Sequence, residues 1–129
     1  MTDEIIDAMP FARALGVRID SAEPEEVTGR LAWAPERCTA GGIMHGGALM
    51  ALADSLGAAC AFLNLPAGSS TTTLESKTNF LRGVRQGEVR GVSRPLHPGR
   101  RFIVVQTDLY DDEDRRVAQV TQTQAVLPG

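Results

Sequence analysis

The chain is poor in the residues that build covalent or metal-held scaffolds. Its 129 residues include only two cysteines, Cys38 and Cys60, and two histidines, His45 and His97. Two cysteines make neither a disulfide framework nor a zinc site, and no cluster of ligating side chains points to a metal. Both thiols are expected to be reduced, which places the protein in the cytoplasm. Long apolar runs are missing too. The longest candidate, residues 48–62, is interrupted by Asp54 and Ser55, so no membrane span is expected. The N-terminal stretch MTDEIIDAMP is acidic and lacks the basic region of a signal peptide. With a formal net charge of −3, general affinity for nucleic acid is not expected. Repeats and linkers are absent, and residues 1–129 are read as a single domain.

What remains is ordinary globular composition, 43% hydrophobic and 22% charged. The charge is unevenly placed. Residues 77–101 hold seven basic side chains, Lys77, Arg82, Arg85, Arg90, Arg94, Arg100 and Arg101, opposed only by Glu88, a local +6 that leaves −9 for the rest. An arginine-rich stretch on an acidic protein fits a phosphate-bearing ligand such as a nucleotide. It also fits a solvated strand face.

The spacing of Ile5, Ile6, Met9 and Leu15 predicts a short amphipathic helix over 3–14. Residues 26–34 alternate, with Val27, Gly29, Leu31 and Trp33 on one side, and predict a half-buried strand stopped by Pro35. A loop over 35–44 precedes a long helix over 46–63, which Pro66-Ala67-Gly68 ends. Strands are predicted over 71–82, 87–96, 101–110 and 116–127. Connections this short favour antiparallel neighbours. One long helix against an antiparallel sheet of five to six strands is an α+β fold.

The long helix is apolar on every side. Leu49, Leu52, Ala53, Leu56, Cys60 and Leu63 fall on one face, while Met50, Ala51, Asp54, Ala58, Ala61 and Phe62 occupy the other. Such a helix is expected to be buried all round. A sheet covers one side only, so the small-residue side needs a second partner. Asp54 is the only carboxylate in this helix. It is either a structural acid held by donors at a subunit contact or a catalytic acid, base or nucleophile.

His45-Gly46-Gly47 opens the helix. The first helical N–H groups lack intrahelical partners, glycine lets a ligand approach them, and the helix dipole adds positive potential. These are the requirements of an oxyanion hole, although a glycine pair also serves a plain loop-to-helix turn. Asp54 follows Gly46 by eight residues, about 12 Å along the axis at about 1.5 Å per residue. One carbonyl cannot touch both. If both act on one substrate, they come from two copies of the helix, antiparallel across a two-fold axis.

The run Gly42-Ile43-Met44-His45-Gly46-Gly47, followed by Leu52-Ala53-Asp54-Ser55, resembles the hotdog-fold acyl-CoA thioesterases of the phenylacetate-pathway type. Pro10-Phe11, Leu15-Gly16-Val17, Asn79-Phe80-Leu81-Arg82 and His97-Pro98-Gly99-Arg100 extend the likeness over residues 9–127. The resemblance implies one central helix wrapped by the sheet, in a homodimer with shared active sites that pairs into a dimer of dimers. It implies that the Gly46 N–H polarises the thioester carbonyl of an acyl-CoA or aroyl-CoA. Asp54 of the partner chain then attacks the carbonyl or activates water. His45 and Thr39 are placed near the reacting bond, and no cofactor is implied, since CoA is part of the substrate. Gly47, Met50, Asn79 and Phe80 are implied to line the substrate. Arg82, Arg94, His97, Arg100 and Arg101 are the candidates for CoA contacts. The chain differs from many relatives in carrying Thr39 where they carry Gln or Asn, and Ala58 where some carry Ser or Thr.

Met44, Met50 and Phe62 are candidates to line an acyl pocket. Cys60 reads as core, and Cys38 has no basic setting beyond Arg37 to make it a nucleophile. Thioester hydrolysis is the leading reading. The alternatives are a non-catalytic acyl-CoA sensor on the same fold and a hotdog hydratase or dehydratase, which needs a histidine acting with an acid.

Overall fold

Strand alternation and one long apolar helix set the architecture. In a computed structural model covering residues 1–129, two short helices, α1 (Thr2–Asp7) and α2 (Pro10–Leu15), lead into strands β1 (Arg18–Glu23) and β2 (Glu26–Ala32). A loop with two 3-10 turns precedes the central helix α3 (Gly46–Leu63). Strands β3 (Ser70–Phe80), β4 (Glu88–Pro98), β5 (Phe102–Tyr110) and β6 (Arg116–Leu127) complete the chain. The six strands form one sheet in the order β1-β2-β4-β5-β6-β3, every neighbouring pair antiparallel. The sheet wraps α3 on one side, which is the hotdog arrangement.

The core lies between them. Leu52, Ala53, Leu56 and Cys60 of α3 and Leu31, Val89, Ile103, Val105 and Leu109 of the sheet have no exposed surface. Burial pushes the Cys60 thiol up to about 11, as expected of a core residue. By length and composition α3 would pass for a membrane span, but 56% of it is buried against the sheet.

The expected N-terminal helix is broken. Pro10 has no N–H to continue α1 and instead occupies the first turn of α2, where that N–H is not needed. The sixth strand, β1, lacks a readable alternation because its register shifts between Ile19 and Ser21. The connection after β3 does cross the sheet, contrary to the expectation of simple neighbours. β3 pairs with β6 at one edge, while β4 lies between β2 and β5. Within one protomer the sheet covers one side of α3 and leaves the other open. Met50 is 41% exposed, Phe62 is 59% exposed, and Asp54 is exposed between them.

Candidate active site

Three of the first four N–H groups of α3 are taken by His45. Its Nδ1 accepts the Gly47 N–H at 2.7 Å, and its carbonyl accepts those of Ala48 and Leu49 at 2.9 and 3.2 Å. The Gly46 N–H alone has no acceptor in the protomer. The approach to the helix is fixed by two backbone bonds of 2.8 Å, from the His45 N–H to the Arg37 carbonyl and from the Met44 N–H to the Val84 carbonyl. Because Nδ1 is an acceptor, the neutral ring carries its proton on Nε2. The Phe80 ring lies over Gly46, so close that a Cβ there would sit 3.1 Å from the ring. Gly46, Thr39, Phe80 and Arg82 line one cleft of about 420 Å³.

Asp54 lies further along the exposed face of α3. It lines a separate cleft of about 240 Å³ with Met50, Ala51 and Ser76 of β3. Its Oδ1 accepts a 3.0 Å hydrogen bond from Nε2 of Gln122, a fully buried residue of β6. Gly46 and Asp54 thus belong to different clefts of one protomer, as their spacing on the helix requires. His45 and Gly47 face a third cleft, with Arg37 and Cys38.

The basic stretch does not fold into one patch. Arg94 pairs with Glu26 at 2.6 Å. Arg90 pairs with Asp114 at 3.0 Å and lies 4.9 Å over the Tyr110 ring. Arg82 stands in the Gly46 cleft and in a neighbouring one of about 550 Å³ that also holds Arg85 and Arg115. Strand register separates Arg82 from Arg100 and Arg101. Phe80 pairs with Ala118, which pairs with Leu109 at one end of β5, whereas Arg101 precedes Phe102 at the other end. His97, beside a register shift in β4, lies near that far end. Asn79 is an exposed residue of β3 opposite Gln119. The structure therefore gathers Gly46, Thr39, Phe80 and Arg82, and puts Asp54 with Met50. Asn79, Arg94, His97, Arg100 and Arg101 lie elsewhere in the protomer.

Residues 41–118, which carry His45, Gly46 and Asp54, match the Thioesterase superfamily. The chain belongs to that superfamily. It is 37% identical over 86 residues to the 1,4-dihydroxy-2-naphthoyl-CoA hydrolase of Escherichia coli (strain K12), a match covering 67% of this chain and 63% of the hydrolase, just under two-thirds of that protein's length. It is 32% identical over 114 residues to a Mycobacterium tuberculosis (strain CDC 1551 / Oshkosh) protein named as an esterase, covering 86% of this chain and 81% of the relative. Its fold superimposes on a mutant thioesterase from Pseudomonas aeruginosa with a TM-score of 0.94 at 28% identity, covering 100% of this chain and 95% of the other.

In this thioesterase-superfamily chain, two neighbours of Asp54 escaped the reading of the sequence. Gln122 and Ser76 sit opposite each other on β6 and β3. One signal was present. Val120, Gln122 and Gln124 continue the buried side of β6, and polar side chains at inward positions of a strand need a reason to be there.

Proposed function

We propose that the chain hydrolyses the thioester of an acyl-CoA or aroyl-CoA, in a homodimer whose sites each join Gly46 of one copy to Asp54 of the other. The observation that carries this reading is the Gly46 N–H. It is the one donor at the helix start that His45 leaves unpaired, and it sits where the dipole favours a developing oxyanion. The chain also presents a surface suited to a second copy. β3 is an edge strand with Leu74 and Phe80 more than half exposed, and it flanks the open face of α3. Unpaired edges of this length invite pairing.

Chemically, the carbonyl oxygen accepts from Gly46 and its carbon becomes electrophilic. With Asp54 as base, water gives its proton to the carboxylate as its oxygen bonds to the carbon. The C–S bond then breaks and the proton passes to the departing thiolate. With Asp54 as nucleophile, its oxygen bonds to the carbon as the C–S bond breaks and the thiolate leaves. Water then opens the mixed anhydride to the free acid and the regenerated carboxylate, the released proton going to the thiolate. Both routes need the same two groups.

The acyl group has a natural destination. An apolar cavity of about 480 Å³ is lined by Ile5 and Met9 of the N-terminal region, Ala58 and Phe62 of α3, and Thr71. It lies one to two turns beyond Asp54 on the same helix face. The cavity favours an apolar acyl tail, because hydroxyl groups placed there would lose water without gaining enough partners. The hydratase reading is disfavoured by His45, whose Nδ1 is already occupied as an acceptor.

The test is to offer the protein hexanoyl-CoA and phenylacetyl-CoA and to follow free CoA with a thiol reagent. CoA release is expected, and Asp54→Asn is expected to lower kcat at least about 10²-fold with KM largely kept. Binding without release would support the sensor reading instead.

A further inference from the structure

We propose that Gln122 is a positioning residue for Asp54, holding one carboxylate oxygen so that the other faces the thioester. The inference rests on the reading of Asp54 as the reacting acid. Asp54 is exposed on the protomer, and a carboxylate at an open helix face is free to rotate. The Gln122 amide removes that freedom by donating to Oδ1 at 3.0 Å. The orientation of the amide follows from the chemistry, because a carboxylate only accepts and the nitrogen must therefore face it.

The surroundings show that this bond is bought by two local exceptions. The amide oxygen of Gln122 is buried without any partner. Gly57, in the middle of α3, leaves the room the amide occupies, since a Cβ there would lie 1.8 Å from that oxygen. Mid-helix glycine weakens a helix, and a buried acceptor without a donor is unfavourable. Both exceptions converge on one carboxylate. Gln124, two residues on and equally buried, shows what a purely structural glutamine looks like here. Its nitrogen donates to Thr73 at 2.8 Å and its oxygen accepts from Thr71 at 3.2 Å. Gln122 spends its donor on Asp54 instead. Breaches of local rules that agree on a single group are a mark of function.

The experiment compares Gln122→Met, Asp54→Asn and the double variant on hexanoyl-CoA. Methionine keeps the length and volume of the side chain and removes the donor. Because it also removes an unpaired buried oxygen, Tm is expected to hold or rise. A structural role alone would lower Tm and leave kcat intact. The positioning role lowers kcat about tenfold or more, as a misplaced reacting group does, with little change in KM. In the Asp54→Asn background the same substitution should cost nothing further. If Gln122→Met fails to fold, Gly57→Ala takes its place, since the added methyl displaces the amide, and the same loss of kcat is expected. Wild-type kcat in the folded variant, or an equal loss with and without Asp54, would overturn the proposal. An Asp54→Asn enzyme at wild-type kcat would overturn the reading of the site and this relation with it. A silent Gln122→Met beside an inactive Asp54→Asn would overturn the relation alone.

Discussion

The imidazole of His45 caps the helix that it precedes, its Nδ1 accepting the Gly47 N–H at 2.7 Å. The bond does two things. It satisfies an orphan donor at the start of α3, and it leaves Gly46 as the single free donor facing the cleft of Phe80 and Arg82.

The cap makes its own prediction. His45→Ala should lower stability by about 1 kcal/mol, the usual worth of an N-cap, while His45→Asn, a good capping side chain, should hold it. Thermal unfolding of the two variants checks this. Equal losses in both would remove the cap as the explanation.

The acyl cavity can be filled from α3. Ala58→Leu adds three carbons to its wall. The kcat/KM for hexanoyl-CoA should fall about tenfold, in the range that a methylene or two commands in an apolar pocket. Acetyl-CoA, too short to reach the wall, should be spared. Parallel losses on both substrates would place the acyl group elsewhere.

Among the arginines, geometry now separates candidates that composition left equal. Arg82 shares the cleft of Gly46, whereas Arg94 is engaged with Glu26 at 2.6 Å on the sheet. Arg82→Ala should raise KM for CoA thioesters but not for the matching N-acetylcysteamine thioester, which lacks the phosphates. Arg94→Ala should change neither much, as exposed ion pairs contribute at most about 1 kcal/mol. The opposite ranking would move the CoA contact to the outer face of the sheet.

Local patterns and spacing made some of this legible in the sequence, and long-range packing hid the rest. The helix over 46–63 was legible from its periodicity, and the placing of Gly46 and Asp54 in different clefts of one protomer from a spacing too long for one carbonyl. β6 was legible because the charged turn over 111–114 marks its start, and its burial alternates from Ala118 to Ala125. β1 was not, since a register shift after Ile19 breaks its period. The place of β3 beside β6 depends on contacts some fifty residues apart, such as Thr73 with Gln124. No local rule brings Gln122 under Asp54, 68 residues earlier. The basic stretch misled because β4 sends Arg90 and Arg94 to acidic partners, while its two ends carry the remaining arginines to opposite ends of the sheet.

The shared site is the central claim, and mixed dimers test it most directly. Two variants are needed, Asp54→Asn and Gly46→Pro. Proline has no N–H, yet it suits the first position of a helix, and the N–H it removes has no partner in the protomer. Circular dichroism must show that Gly46→Pro folds, because the Phe80 ring lies close to that position. Each variant alone should be inactive. Co-expressed, they form mixed dimers with one doubly defective site and one intact site. If pairing is random, activity should return to about one quarter of wild type. Folded, demonstrably mixed dimers that stay inactive would contradict a site made from both subunits.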